Sequence, residues 1–176
     1  MNIIQGGDMM LFIKKGSDYK SIAFATNHSI TINLETKETS TKDSGGKWQT
    51  SEAGIMSWTA NSENLMGNDA QGYSYDELFA LMIAREPIDV RFALEGDSTD
   101  YGANKLDTVP TGGWKPATKY YEGKALITGL TKNAPNGDKA SFTCDLTGIG
   151  ALTSNGANKA PSSTTPTTPT TPSTKG

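Results

Sequence analysis

The sequence of 176 residues has one cysteine and one histidine. A lone cysteine excludes an intramolecular disulfide, so nothing in the chain calls for an oxidising compartment. His28 and Cys144 stand far apart in sequence, and the usual His/Cys metal spacings are missing. A Cys–His nucleophilic pair would need the two side by side, yet Cys144 falls on the apolar side of an alternating run, where a buried thiol is inert. Gly-rich phosphate loops, dinucleotide fingerprints and nucleophile elbows are also missing. The expectation is a protein without catalytic residues, metal or cofactor. Charge of one sign is scarce: 16 Lys and Arg face 19 Asp and Glu, for a formal net charge of −3. That balance does not suit counterion-release gripping of nucleic acid. No apolar run approaches the roughly 18–20 residues that span a bilayer. Residues 1–11 lack the basic and apolar regions of a signal peptide. These absences predict a soluble protein, made in the cytoplasm.

What the chain does have is glycine, 19 of them, set between short alternating runs. Residues 9–14, 21–26 and 29–34 read as strands, the last with Ile30, Ile32 and Leu34 on one side and Ser29, Thr31 and Asn33 on the other. Residues 35–54 are polar and broken by Gly45 and Gly46, and read as a long protruding loop. Strand character returns at 55–61. Ser74 followed by Glu77 has the spacing of a capping box, and Leu78, Phe79 and Met82 predict a buried stripe on a helix over 74–85 that stops at Pro87. Residues 89–95 alternate again, as do 139–147; between them lies a strand over 120–131, broken by Gly123 and Gly129. Asn136-Gly137 is a strong hairpin signal. Gly148 and Gly150 are read as ending the domain near Leu152. The last segment, 154–176, is dominated by Thr, Ser and Pro, with almost nothing to bury, and is expected to be a disordered tail. The predicted division is a β domain over 1–153 and a tail over 154–176. The fold class is mainly β: a β-sandwich or partial barrel with one flanking α-helix.

Several runs together resemble one family. Ser40, Thr41, Lys42, Asp43, Ser44 and Gly45, followed by Trp48, are similar to a run in the long loop of major tail tube proteins of long-tailed bacteriophages. The run GIMSWTANSENL resembles that family's strand in which Trp follows Ser, and SYDELFALMIAREPIDVRFAL resembles its helix and following strand. The stretch YYEGKALITGLTKNAPNGDKASFTCDLTGIGALT resembles its C-terminal signature. The likeness covers residues 11–153. It implies a structural virion protein: six copies form a ring, the rings complete a β-barrel by oligomerisation, and stacked rings make the tube through which DNA is ejected. It also implies tape-measure, tail-tip and tail-terminator proteins as partners, DNA that passes without specific binding, and a place in the virion tail after synthesis in the host cytoplasm. Many relatives carry an Ig-like domain where this chain has its Thr/Pro segment.

Two sets of residues carry functional expectations. Lys42, Asp43 and Trp48 in the 35–54 segment are expected to touch an adjacent subunit or ring, because an isolated Trp in a polar loop suits an interface. Asp89, Arg91, Glu95, Ser141, Thr143 and Asp145, the polar sides of two alternating strands, are expected to line the lumen. Three acids against one base suit a channel that must not hold DNA. Two other functions fit the same pattern: the tube protein of a related injection or secretion machine, and a monomeric β-sandwich binding module.

Overall fold

The computed structural model describes residues 6–40, 48–68, 72–95, 109 and 113–155, apart from the side chains of residues 94 and 95. Among the described residues, seven strands and one α-helix follow in the order β1 (Met9–Lys15), β2 (Asp18–Ser21), β3 (Ala25–Glu38), β4 (Ser51–Leu65), α1 (Tyr75–Ala84), β5 (Ile88–Glu95), β6 (Pro116–Asn133) and β7 (Ser141–Ser154). They build one antiparallel sheet in the order β2-β1-β5-β6-β7-β4-β3. The sandwich-like character comes from curl. β1 and β3 lie near opposite ends of the sheet, yet the Leu11 backbone N–H donates to His28 Nδ1 at 3.2 Å. The sheet therefore bends back on itself without closing its ladder. Register shifts in β6, between Glu122 and Lys124 and between Ile127 and Gly129, supply bends of the kind that bulges impose.

The side of the sheet facing the helix holds the main core: Leu11, Ile13, Trp58, Ala60, Leu78, Val90, Ala125, Ile127, Phe142, Cys144 and Leu146. Burial pushes the Cys144 thiol up to about 12, with the Asp145 carboxylate adding to it, so the thiol stays protonated and unreactive. The helix begins as its sequence predicts. Ser74 Oγ accepts from the Glu77 backbone, and Glu77 reaches back to the Ser74 N–H at 3.1 Å. Tyr75 meets Phe142 edge-on at 5.6 Å. Of the predicted stripe, Leu78 is fully buried and Met82 partly so, but Phe79 is exposed. Leu81 takes its place against the core, because Tyr75, Leu78 and Leu81 or Met82 share one side of a 3.6-residue helix.

Three boundaries differ from the sequence reading. The polar 35–54 segment is strand at both its ends: β3 and β4 pair without the core as far as Glu38 and Ser51. A hairpin standing in solvent carries polar residues on both sides, so alternation gives no signal there. β2 is only four residues long, too short for a pattern. The last strand, read over 139–147, runs on through Gly148 and Gly150 to Ser154, two residues past the expected end near Leu152. Gly148 is there for Trp58: a Cβ on it would lie 2.1 Å from the indole Cε2, and one on Gly123 would lie 2.6 Å from the same ring. Trp58 then donates from Nε1 to the Gly150 carbonyl at 3.1 Å. The hairpin at Asn136-Gly137 forms as expected, with Gly137 at φ +84°. Of the predicted tail, residues from 156 onward lie outside the described residues.

Candidate assembly surfaces and channel face

Strand alternation puts Asp89 and Arg91 of β5 on the side of the sheet away from the helix, opposite Val90. The same reasoning puts Ser141, Thr143 and Asp145 of β7 there, opposite Phe142, Cys144 and Leu146. The ladder joins the two groups across β6. Arg91 pairs in register with Glu122 and Asp89 with Lys124, while Thr131 and Asn133 oppose Thr143 and Ser141. Five of the six predicted lumen residues thus share one surface. The side chain of the sixth, Glu95, lies outside the described ones, at the end of β5 where its backbone opposes Pro116.

The charges on this surface are largely compensated. Asp89 sits between Lys14 at 3.3 Å and Lys124 at 3.5 Å. The Arg91 guanidinium pairs with Glu122 at 3.0 Å and lies 3.9 Å over the Tyr19 ring and 4.0 Å over the Tyr120 ring. Tyr19 donates to the other Glu122 oxygen at 3.1 Å. Burial pushes the Tyr19 phenol up to about 12; Arg91 pulls against this and Glu122 adds to it. Asn61 of β4 donates to Asp145 at 2.6 Å, and the Thr128 and Thr147 hydroxyls meet at 3.1 Å. Alternation within single strands could not reveal Lys14, Tyr19, Glu122 or Lys124. They come from the short β2, from β1, and from a β6 whose glycines and bulges blur its period. The acid excess read from β5 and β7 alone is therefore reduced by lysines from the neighbouring strands. Toward β1 the polar surface gives way to Phe12 and Ala93, both buried.

The second candidate surface is the outer hairpin. β3 is an edge strand of 14 residues. Ile32, Leu34 and Met56 share the side that nearer the sheet carries Trp58, but here they are 51%, 53% and 65% exposed. Ile55 is exposed on the other side, and Phe79 and Ile83 of the helix are exposed as well. Long edges and apolar clusters of this kind are what soluble monomers avoid. Trp48, in the connection between β3 and β4, is 89% exposed. Lys42 and Asp43, its predicted companions, lie outside the described residues. Among the described residues there is no cluster of three or more His, Cys, Asp or Glu side chains able to hold a metal.

Comparison with known proteins places this geometry. A family model described as phage tail tube protein matches residues 3–154. Among solved structures, the tail of an empty gene transfer agent particle, refined with C6 symmetry, aligns with a TM-score of 0.64 at 16% identity, covering 86% of this chain and 98% of that one. The SPP1 tail tube aligns at 0.60 and 12% identity, covering 89% and 81%. The sheath–tube complex of an extracellular contractile injection system aligns at 0.55 and 17%, covering 86% and 90%. No curated protein matches the chain in sequence.

Proposed function

The chain belongs to the phage tail tube protein family, and from that premise we propose that six copies close a ring, that rings stack into a tube, and that the polar side of the sheet lines a channel for DNA. The observation that carries the reading is the open sheet. It ends in a long β3 edge beside exposed Ile32, Leu34 and Met56, so the monomer leaves unpaired backbone and apolar surface that a neighbouring copy would cover. Ring closure removes the edges. The gene transfer agent tail, with its six-fold symmetry, supports six as the number. The channel side is assigned to the Asp89–Arg91–Asp145 surface because its charges are paired with each other and offer phosphates no unopposed basic patch. The role is structural, with no catalytic step and no cofactor.

Partners follow from the tube: a tape-measure protein inside it, and tail-tip and terminator proteins at its ends. Chains of similar fold occur in solved structures of a tube-terminating cap and of a baseplate. Assembly takes place in the host cytoplasm, and the product resides in the virion tail. Trp48, almost fully exposed, is taken as a contact with a neighbouring copy, with Lys42 and Asp43 of the same segment as its expected companions. The test is electron microscopy of concentrated purified protein, with rings and tubes expected. Deleting residues 41–47 should leave a folded chain that makes no tubes. Reversing Asp89 and Asp145 to Lys should leave tubes intact but slow DNA ejection severalfold at low salt, with recovery at high salt as the attraction is screened. Unchanged ejection from such tubes places this surface outside the channel.

A further inference from the structure

The β3–β4 hairpin has an unsatisfied feature at each end. At its tip stands the Trp48 indole, almost fully in solvent. At its base, where β2 hands over to β3, an apolar cavity of about 230 Å³ is lined by Met10, Ile22, Ala23, Phe24, Ala25 and Trp114. An engineered apolar cavity of about 150 Å³ admits benzene, so this one has room for an indole. Its rim is built with strain. Phe24 has φ +54°, an uncommon conformation for a bulky residue, and its ring lies half exposed against Gly67. The turn is held from both sides: the Leu65 N–H donates to the Phe24 carbonyl at 3.0 Å, and the Ala23 N–H to the Tyr73 carbonyl at 2.9 Å. These bonds fix the β2–β3 side of the cavity. The 14 residues of β3 separate knob from hole by roughly 45 Å along the strand, so neither can fill the other within one chain.

We propose that Trp48 of one copy seats in the Met10–Ile22–Phe24–Trp114 cavity of a copy in the next ring, making this the contact that sets ring stacking. The inference rests on the tube reading above and adds the receptor for the hairpin tip. A knob and a hole at opposite ends of one element form a heterologous contact, which repeats without closing and grows a filament. The indole also suits a contact of this kind, being large, apolar and able to dominate an interface.

The test uses the full chain. Trp48→Ala removes the knob, and Ala25→Glu puts a charge in the hole; circular dichroism and melting check that each variant folds. Each should form rings whose stacking into tubes needs at least about thirtyfold higher concentration, the size of one interface hot spot. Mixed, the two variants should give ring pairs and no tubes, because only one kind of junction keeps an intact knob and hole. In a Trp48→Cys/Ala25→Cys double variant, a short bis-maleimide should give a ladder of linked chains on denaturing gels; the native Cys144 is buried and silent. Tubes from either single variant at wild-type concentration, or double-variant tubes that yield no ladder, overturn the proposal while leaving the tube reading standing. Wild-type protein that makes neither rings nor tubes overturns the tube reading itself.

Discussion

The inner and outer halves of the β3–β4 hairpin share one hydrogen-bonded ladder and differ in what their side chains meet. In the inner half, Trp58 and Ala60 enter the core, Ser62 and Asn64 are buried, and Ile30 is partly covered. In the outer half, Leu34 and Met56 lie opposite one another on the same side of the ladder, and both stand in solvent. Backbone pairing evidently does not need the core, but it leaves the outer half with surface for something else to cover. One half serves the fold of the chain, and the other is the half that the proposed tube assigns to association. A substitution should therefore move stability in one half and assembly in the other.

The largest effect on the fold is expected at Trp58. Trp58→Ala removes the ring that spans Gly123 and Gly148 and leaves the Gly150 carbonyl without its donor. It should cost about 3–5 kcal/mol, read by urea denaturation. A cost below about 1 kcal/mol would erase the distinction between the halves. Next comes the base of the hairpin at His28. Burial lowers its pKa to about 4 from an ordinary 6.5, with the Met9 backbone opposing in part. The unfolded chain then binds the proton more readily than the folded one. The contribution is fully present above about pH 6.5, fades as pH falls toward 4, and is absent below, a loss of up to about 3 kcal/mol. Melting temperatures across that window should fall for the wild type and flatten for His28→Gln. A capping change gives a smaller loss: Ser74→Ala should cost about 1 kcal/mol, seen in melting. Smallest for the fold is the outer half. Ile32→Ser, Leu34→Ser and Met56→Ser together should change unfolding free energy by less than about 0.5 kcal/mol each, while abolishing rings in electron micrographs. A triple variant that still makes rings would show that this surface is not the one covered.

The same comparison explains what could be read from the sequence. The inner strands and the helix start were legible because a core imposes a period: Phe142, Cys144 and Leu146 alternate, and Ser74 and Glu77 stand at cap spacing. The outer hairpin was read as loop because solvent on both sides imposes no period on Thr36, Lys37 and Glu38. The glycines of β7 misled for a different reason. A glycine that ends a strand and one that admits an indole are the same letter, and only the position of Trp58 distinguishes them. Alternation puts the described polar side chains of β5 and β7 on one surface, but their neutralising partners Lys14, Lys124 and Glu122 come from strands whose adjacency is a property of topology.

The two register shifts in β6 have a mechanical consequence. A wall made of two separate sheets can shear at the apolar layer between them, because side-chain contacts there resist sliding only weakly. Here β6 is bonded to β5 along its first half and to β7 along most of its length, turning at its bulges without a break in the ladder. The part of the sheet that carries Asp89 and the part that carries Asp145 are therefore one hydrogen-bonded fabric. A load applied to one is borne by peptide groups of the other, and the wall has no plane along which to slip.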